Sequence, residues 1–131
     1  EKINPDVLLI AEPWGGEYKP VGFSDHGWIS WNDRLRNGFK GYDPILNKGM
    51  IFGTWSHGST RYAIENFIRG TLKSAEHGLF NTSAHSVNYI ESHDGYTLGD
   101  FIRIALNPLD KDKKYKKKNK SFKGFRRSIK V

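Results

Sequence analysis

The sequence predicts an α/β fold built on a parallel sheet, and two observations carry that prediction. Three short apolar runs, in residues 7–11, 28–32 and 86–91, have the length and composition of strands. Helical patterns and long connections separate these runs, and no hairpin signal joins one run to the next. Strands that are separated by crossovers pair in parallel, with right-handed connections. We therefore expect a single α/β domain from the 131 residues.

The first run, residues 7–11, is apolar throughout and is bounded by prolines. This pattern predicts a strand that is buried on both faces. Glu12 closes the run. A carboxylate at that point is an N-cap, a buried structural partner or a catalytic group, and the structural roles are the more frequent. Residues 13–16, Pro-Trp-Gly-Gly, predict a sharp turn, and residues 17–27 a loop.

The second run, residues 28–32, is rich in tryptophan and predicts a short strand. Asp33 is predicted to cap a helix that ends near Phe39. Residues 41–58 are predicted to be irregular, with a buried segment of unassigned type at 50–55.

Two clearer helices flank the third run. Ser59 and Thr60 are predicted to open the first of them. Its apolar stripe comprises Ile64, Phe67, Ile68 and Leu72. Thr97 and Asp100 have the spacing of a capping box and are predicted to open the second. Its predicted buried stripe comprises Leu98, Phe101, Ile102, Ala105 and Leu106.

The positive charge of the chain is concentrated at its end. Residues 110–131 contain eleven Lys and Arg against two Asp, whereas the residues before them carry ten Lys and Arg against twelve Asp and Glu. We interpret this basic tail as a solvated loop or a disordered end. The alternative is a nucleic-acid-binding module, because Lys clusters with interleaved aromatic residues can neutralise phosphates and stack on bases.

Several classes of site are not expected. The sequence contains no cysteine, which excludes a disulfide framework and a thiolate metal site. It has no HExxH, GxGxxG or P-loop motif and no apolar run of membrane-spanning length, so we expect no metal, no cofactor and no membrane partner. We interpret the chain as cytoplasmic, with secretion as the alternative. Its start at Glu1 without Met suggests a piece of a longer protein.

Chemistry-bearing residues follow the predicted strands. Glu12 ends the first strand, and His93 and Asp94 follow the third. The carboxyl ends of parallel strands emerge on one face, so the two carboxylates are expected to share it. One protonated and one ionised carboxyl group suit the cleavage of a glycosidic bond. Trp14 could stack against a sugar ring. Taken alone this signal is weak, because a His-Asp pair is common by chance.

Three ordered segments resemble one family of enzymes. Residues 8–14 (LLIAEPW), 31–36 (WNDRLR) and 88–100 (NYIESHDGYTLGD) are similar to the α-amylase superfamily of glycoside hydrolases, in its branch of glycogen-debranching enzymes, isoamylases and pullulanases. The resemblance runs from about residue 6 to residue 108. It implies that residues 1–109 are the C-terminal part of a (β/α)8 TIM barrel, about strands 5 to 7 with their helices. It also implies a retaining mechanism on α-glucans.

The resemblance also assigns roles to single residues. It implies that Glu12 is the general acid/base and that Asp94 stabilises the transition state. His93 is expected to bind hydroxyls of the sugar at the cleavage point, and Trp14 and Asn32 are the other substrate-binding candidates. The nucleophile of the family is an Asp on the strand upstream of Glu12, and it is not among these residues. We therefore predict that the isolated chain is inactive, although its parent would be active.

Overall fold

The computed structural model describes residue 4 and residues 6–55 and 60–108. Its helices and strands, in chain order, are β1 (Ile10–Ala11), β2 (Ile29–Trp31), α1 (Asp33–Phe39), β3 (Gly41–Asp43), β4 (Asn47–Lys48), α2 (Arg61–Ile68), β5 (Ser86–Val87) and α3 (Leu98–Leu106). The main sheet has the order β1-β2-β5, and both of its strand pairs are parallel. The predicted α/β class and parallel pairing are therefore confirmed.

The strands are shorter than predicted, and β1 is not buried on both faces. Leu8 is 77% exposed, Val7 53% and Leu9 42%. β1 lies at the edge of the sheet and has only β2 as a neighbour among the described strands. The prediction of a fully buried strand was wrong because an apolar run shows only what could be buried, whereas burial needs a second layer on each face.

A hairpin occupies part of the segment that was predicted to be irregular. β3 and β4 pair antiparallel. The Asp43 carboxylate accepts hydrogen bonds from the backbone N–H groups of Ile45 and Leu46, at 2.8 and 2.9 Å, and so closes the turn. Gly41 has a φ of +99°, and a Cβ there would lie 2.0 Å from the carbonyl oxygen of Asn47, so only glycine fits this position.

The core lies between α1 and α2. It contains Leu35, Ala63, Ile64 and Phe67, each at most 6% exposed. The two helices approach closely at Gly38, where an added Cβ would lie 2.8 Å from the Cδ1 atom of Ile64. This packing places the start of α1, directly after β2, against the second helix.

Side-chain caps start the three α-helices. The predicted caps of α2 and α3 are confirmed, because the Thr60 hydroxyl accepts from the Ala63 N–H at 3.1 Å and the Thr97 hydroxyl accepts from the Asp100 N–H at 3.2 Å. The cap of α1 is Asn32 and not the predicted Asp33, which is already the first helical residue.

The predicted apolar stripes are correct in their centres and wrong at their ends. Helix α2 ends at Ile68, which is 54% exposed, so Leu72 lies beyond the helix. In α3, Phe101 and Ala105 are buried as predicted, whereas Leu106 is 74% exposed. Ile104, which the stripe omitted, is fully buried. These errors lie at the end of α2 and in the last turns of α3, where the neighbouring elements decide which face of a short helix is covered.

Two parts of the predicted domain organisation are not settled by this fold. The described strands form an open sheet, which is compatible with part of an α/β domain, and the (β/α)8 barrel is not confirmed by it. The predicted basic tail, residues 110–131, lies outside the described residues.

Among the helices of the described residues, none has both the length and the apolar character that crossing a bilayer requires.

Candidate active site

The carboxyl ends of the three parallel strands form one edge of the main sheet. Glu12, Asn32 and Asn88 are the residues that directly follow β1, β2 and β5. The Asn32 side-chain amide donates to the Asn88 side-chain oxygen at 2.8 Å, so the ends of β2 and β5 are joined. The predicted convergence of strand ends on one edge is therefore present in the topology.

Glu12 is exposed at this edge. It lies between the buried Ala11, the last residue of β1, and the buried Pro13, and the backbone turns immediately after it. The Trp14 N–H donates to the Glu12 carbonyl oxygen at 3.0 Å, and the Gly16 N–H donates to the Trp14 carbonyl oxygen at 2.8 Å. Anchored residues on both sides thus place an accessible carboxylate at the strand end, as a group that exchanges protons with a ligand requires.

His93 and Asp94 lie in the loop between β5 and α3. The His93 Nε2 and Asp94 Oδ1 atoms are 3.4 Å apart, and the side chains are 88% and 77% exposed. A polar contact so open to water adds little to stability. Both groups are accessible to a ligand. Among the contacts of the described residues, none joins either of them directly to Glu12.

Asn32 has a structural role in this fold. Its side chain is 0% exposed. The amide nitrogen donates to the carbonyl oxygen of Phe67 at 3.1 Å and to Asn88, and the amide oxygen accepts from the Leu35 N–H at 3.2 Å and the Thr71 hydroxyl at 2.8 Å. These bonds use both N–H donors and both acceptor positions of the amide. A sugar contact of Asn32, as the resemblance implies it, would require the buried amide to leave these partners.

Thr71, which donates a hydrogen bond to Asn32, has an unusual backbone conformation. It is fully buried and has a φ of +53°, a region that β-branched residues rarely occupy. Its carbonyl oxygen accepts from the N–H groups of Leu79 and Phe80, at 2.8 and 3.1 Å. Strain of this kind persists only where the surroundings impose it. Here it brings the Thr71 hydroxyl onto the amide of Asn32, beneath the strand ends.

The Asp33 carboxylate organises the polar contacts at the same edge. It accepts from the Trp14 indole N–H at 3.0 Å, from the Arg36 guanidinium at 2.9 Å and from the Tyr89 hydroxyl. The Arg36 guanidinium also lies 5.3 Å from the centre of the Tyr89 ring. We call Trp14, Asp33, Arg36 and Tyr89 the Asp33 cluster. Sequence reasoning missed Asp33, Arg36 and Tyr89 as members of the site, although all three lie in segments that carried the resemblance.

Two tyrosines beside Asp33 hold their protons more strongly than usual. Burial raises the pKa of Tyr18, and the charge of Asp33 raises it further. The Tyr18 hydroxyl donates to the carbonyl oxygen of Trp31 at 2.7 Å. Burial also raises the pKa of Tyr89, and the bond that its hydroxyl donates to Asp33 raises it again, because ionisation would end that bond.

These shifts predict a loss of stability in alkaline solution. Below pH 10 the tyrosines are protonated in both the folded and the unfolded chain, so their contribution is fully present. Above pH 10 only the unfolded chain releases the protons, and the free energy of unfolding falls by at most about 1.4 kcal/mol per pH unit for each retained proton. Denaturant unfolding at pH 9, 10 and 11 measures this slope. Tyr89→Phe should make it shallower, and equal slopes for the two proteins would contradict the assignment.

Among the residues that the structure describes, Glu12, His93 and Asp94 lie on an exposed edge and not in an enclosed pocket. A cavity of about 220 Å³ adjoins the Asp33 cluster and is lined by Tyr18, Asp33, Arg34, Asn37 and Phe67. It is smaller than the cavities that usually bind small molecules, about 300–1,000 Å³. Glu12, His93 and Asp94 do not line it.

Curated relatives match most of the chain. It is 35% identical over 94 residues to an isoamylase from Flavobacterium sp.. The matched region covers 70% of this chain and 11% of that relative. It is 34% identical over 104 residues to a glycogen debranching enzyme from Yersinia pestis and 32% identical over 101 residues to one from Erwinia tasmaniensis; each match covers 72% of this chain and 13% of the relative.

No protein-family model and no solved structure matches the chain. The curated matches agree with the resemblance that the three sequence segments indicated, in the same branch of enzymes. The chain is thus similar to isoamylases and glycogen debranching enzymes over about 70% of its own length, and it spans only 11–13% of the length of these relatives.

Proposed function

We propose that the chain is the part of a retaining α-glucan debranching hydrolase that carries the general acid/base, Glu12, and the transition-state-stabilising carboxylate, Asp94. His93 and Trp14 contact the sugar in this proposal. The observation that carries it is the parallel order β1-β2-β5, because that order brings the segments after the strands to one edge. The relatives' names, isoamylase and glycogen debranching enzyme, supply the reaction class.

The exposure of the proposed catalytic groups supports these roles. Glu12 is exposed, and the Asp94 side chain is 77% exposed. A protonated Glu12 would give its proton to the glycosidic oxygen as the bond breaks, and an ionised Asp94 would stabilise the oxocarbenium charge that develops on the sugar. His93, 88% exposed beside Asp94, has ring nitrogens that can bond to sugar hydroxyls.

The exposure and the hydrogen bond of Trp14 support its proposed role in binding the glucan. The residue is 39% exposed, and its indole N–H is already bonded to Asp33. A ring held in this way leaves carbon surface for the apolar face of a glucose unit.

Binding of maltoheptaose to the 131-residue chain tests the proposal. Trp14→Ala is expected to weaken binding about tenfold, since the loss of an aromatic contact worth about 1.4 kcal/mol changes affinity by that factor. Trp55→Ala is the matched control, because Trp55 is also exposed, at 51%, and lies outside the Asp33 cluster. Isothermal titration calorimetry measures both variants. Absent binding, or equal losses in the two variants, would overturn the proposal.

The same preparation is expected to release no reducing sugar from glycogen or pullulan. A retaining glycosidase needs a nucleophilic carboxylate to form its covalent intermediate. In the proposal that group precedes Glu12 in the parent enzyme and is not supplied by these residues. The nucleic-acid-binding alternative depends on residues 110–131, which lie outside the described residues, so no contact or charge of the described fold favours it.

A further inference from the structure

Asp33 connects three segments of the candidate site. Its side chain is only 7% exposed and forms an ion pair with Arg36. Its Oδ2 atom accepts from Trp14 and Arg36, and its Oδ1 atom accepts from Tyr89. Trp14 belongs to the turn after β1, Arg36 to α1 and Tyr89 to the segment after β5. One buried carboxylate therefore joins the three strand ends.

The hydrogen-bond donors around Asp33 require a carboxylate and not an amide at this position. Asp33 receives donors on both of its oxygens, and one of the donors is a guanidinium. An ionised carboxylate accepts on each oxygen and forms strong, charge-assisted bonds with such a partner. An asparagine would place an N–H₂ group against one set of donors. A change of a single atom would thus release the Trp14 or the Tyr89 side of the cluster.

The hydrogen bond with Asp33 fixes the orientation of the Trp14 ring. The indole sits in a turn between Pro13 and the Gly15-Gly16 pair, and Gly16 has a φ of +93°. Glycine leaves a turn many accessible conformations. The bond of 3.0 Å from the indole nitrogen to Asp33 removes that freedom from the ring. The polar edge of the ring then faces the carboxylate, and a part of its surface stays open to solvent.

We propose that Asp33 is a positioning residue that holds the Trp14 indole as a stacking surface for a glucose unit of an α-glucan beside Glu12. This inference rests on the proposed function. Asp33 acts through Trp14 and does not touch the sugar itself. Pre-organisation of a binding ring raises affinity because the ring does not have to be ordered when the ligand arrives.

A double-mutant cycle tests the inference. Maltoheptaose affinity is measured by calorimetry for the 131-residue chain, Asp33→Asn, Trp14→Ala and the double variant. We expect Asp33→Asn to lower affinity about threefold to tenfold, and to have no further effect once Trp14 is alanine. A merely structural role would lower affinity equally in both backgrounds, because it would not depend on the ring.

A readout without a ligand keeps the test decisive if Asp33→Asn fails to fold. In the unmodified chain, the indole proton of Trp14 is expected to exchange with solvent more slowly than that of the exposed Trp55, as measured by ¹H–¹⁵N nuclear magnetic resonance. Trp14→Phe removes the indole N–H and leaves Asp33 intact. It should lower affinity by about the same factor as Asp33→Asn, whereas Trp55→Phe should not change it.

The outcomes separate the inference from the proposed function. If the chain does not bind maltoheptaose, or if Trp14→Ala binds as well as the unmodified chain, the proposed function fails and the inference fails with it. If Trp14→Ala weakens binding while Asp33→Asn and Trp14→Phe bind like the unmodified chain, the inference alone is overturned. Equal exchange rates for the indole protons of Trp14 and Trp55 would also overturn it.

Discussion

Asn32→Ala is expected to lower the free energy of unfolding by about 4 kcal/mol. The change removes the cap of α1, which is worth about 1 kcal/mol. It also leaves the Phe67 carbonyl oxygen and the Thr71 hydroxyl without their partner in a buried place. Each buried group left unsatisfied costs about 1–3 kcal/mol. A small domain has only about 5–15 kcal/mol in total, so the change removes a large fraction of its stability.

Two comparison variants test whether the loss of stability comes from the hydrogen bonds of the Asn32 amide. Asn32→Asp keeps an oxygen for the Leu35 N–H but replaces the amide donor by an acceptor, so it should also destabilise the chain strongly. Asn81→Ala removes an exposed bond to Asp25 and should change stability by no more than about 0.5 kcal/mol. Urea unfolding followed by far-UV circular dichroism measures all three. A loss below about 1 kcal/mol for Asn32→Ala would show that the amide network does not hold the strand ends.

Glu91→Ala is expected to cost about 3 kcal/mol through Lys40. The Lys40 side chain is 8% exposed and forms an ion pair with Glu91, which is 28% exposed. The Lys40 ammonium also lies 4.9 Å from the centre of the Phe101 ring. Within the part of the chain that the structure describes, removal of Glu91 leaves the buried ammonium with the Phe101 ring as its remaining favourable contact. An unpaired buried charge costs about 3–5 kcal/mol. The partial exposure of Glu91 places the effect at the lower end.

The matched comparisons are an exposed pair and a paired replacement. Glu17→Ala removes an ion pair whose side chains are 75% and 72% exposed, and it should cost less than about 1 kcal/mol. Lys40→Met combined with Glu91→Leu removes both charges, and it should be more stable than Glu91→Ala alone. Thermal unfolding of the four proteins makes the comparison. If Glu91→Ala and Glu17→Ala unfold at the same temperature, the buried pair does not anchor the segment before His93.

Elements that depend on neighbours in sequence were predictable. Apolar runs and capping residues predicted the parallel strands and the starts of α2 and α3, because a cap involves groups only three residues apart. The hairpin of β3 and β4 was missed, because its turn begins with an Asp43-Pro44 pair and lacks the Asn-Gly type of signal. Exposure of Leu8 and Leu106 was also missed, because burial depends on what packs against a face.

The residues of the candidate site also divide into those that the sequence identified and those whose contacts only the fold shows. The motifs alone drew attention to Glu12, His93, Asp94 and Trp14, and their assigned roles remain predictions. The resemblance also selected Asn32, but the fold uses its amide as a buried joint between β2, α2 and β5.

By itself, the sequence determined the α/β class, the parallel pairing of the three strands of the main sheet and the similarity to debranching enzymes, because local patterns and ordered motifs carry these features. Only the tertiary structure decided which polar groups are joined. Asp33 meets Trp14 across 19 residues and Tyr89 across 56. Contacts over such separations arise when parallel strands bring distant segments to one edge, and no pattern within a single segment encodes them.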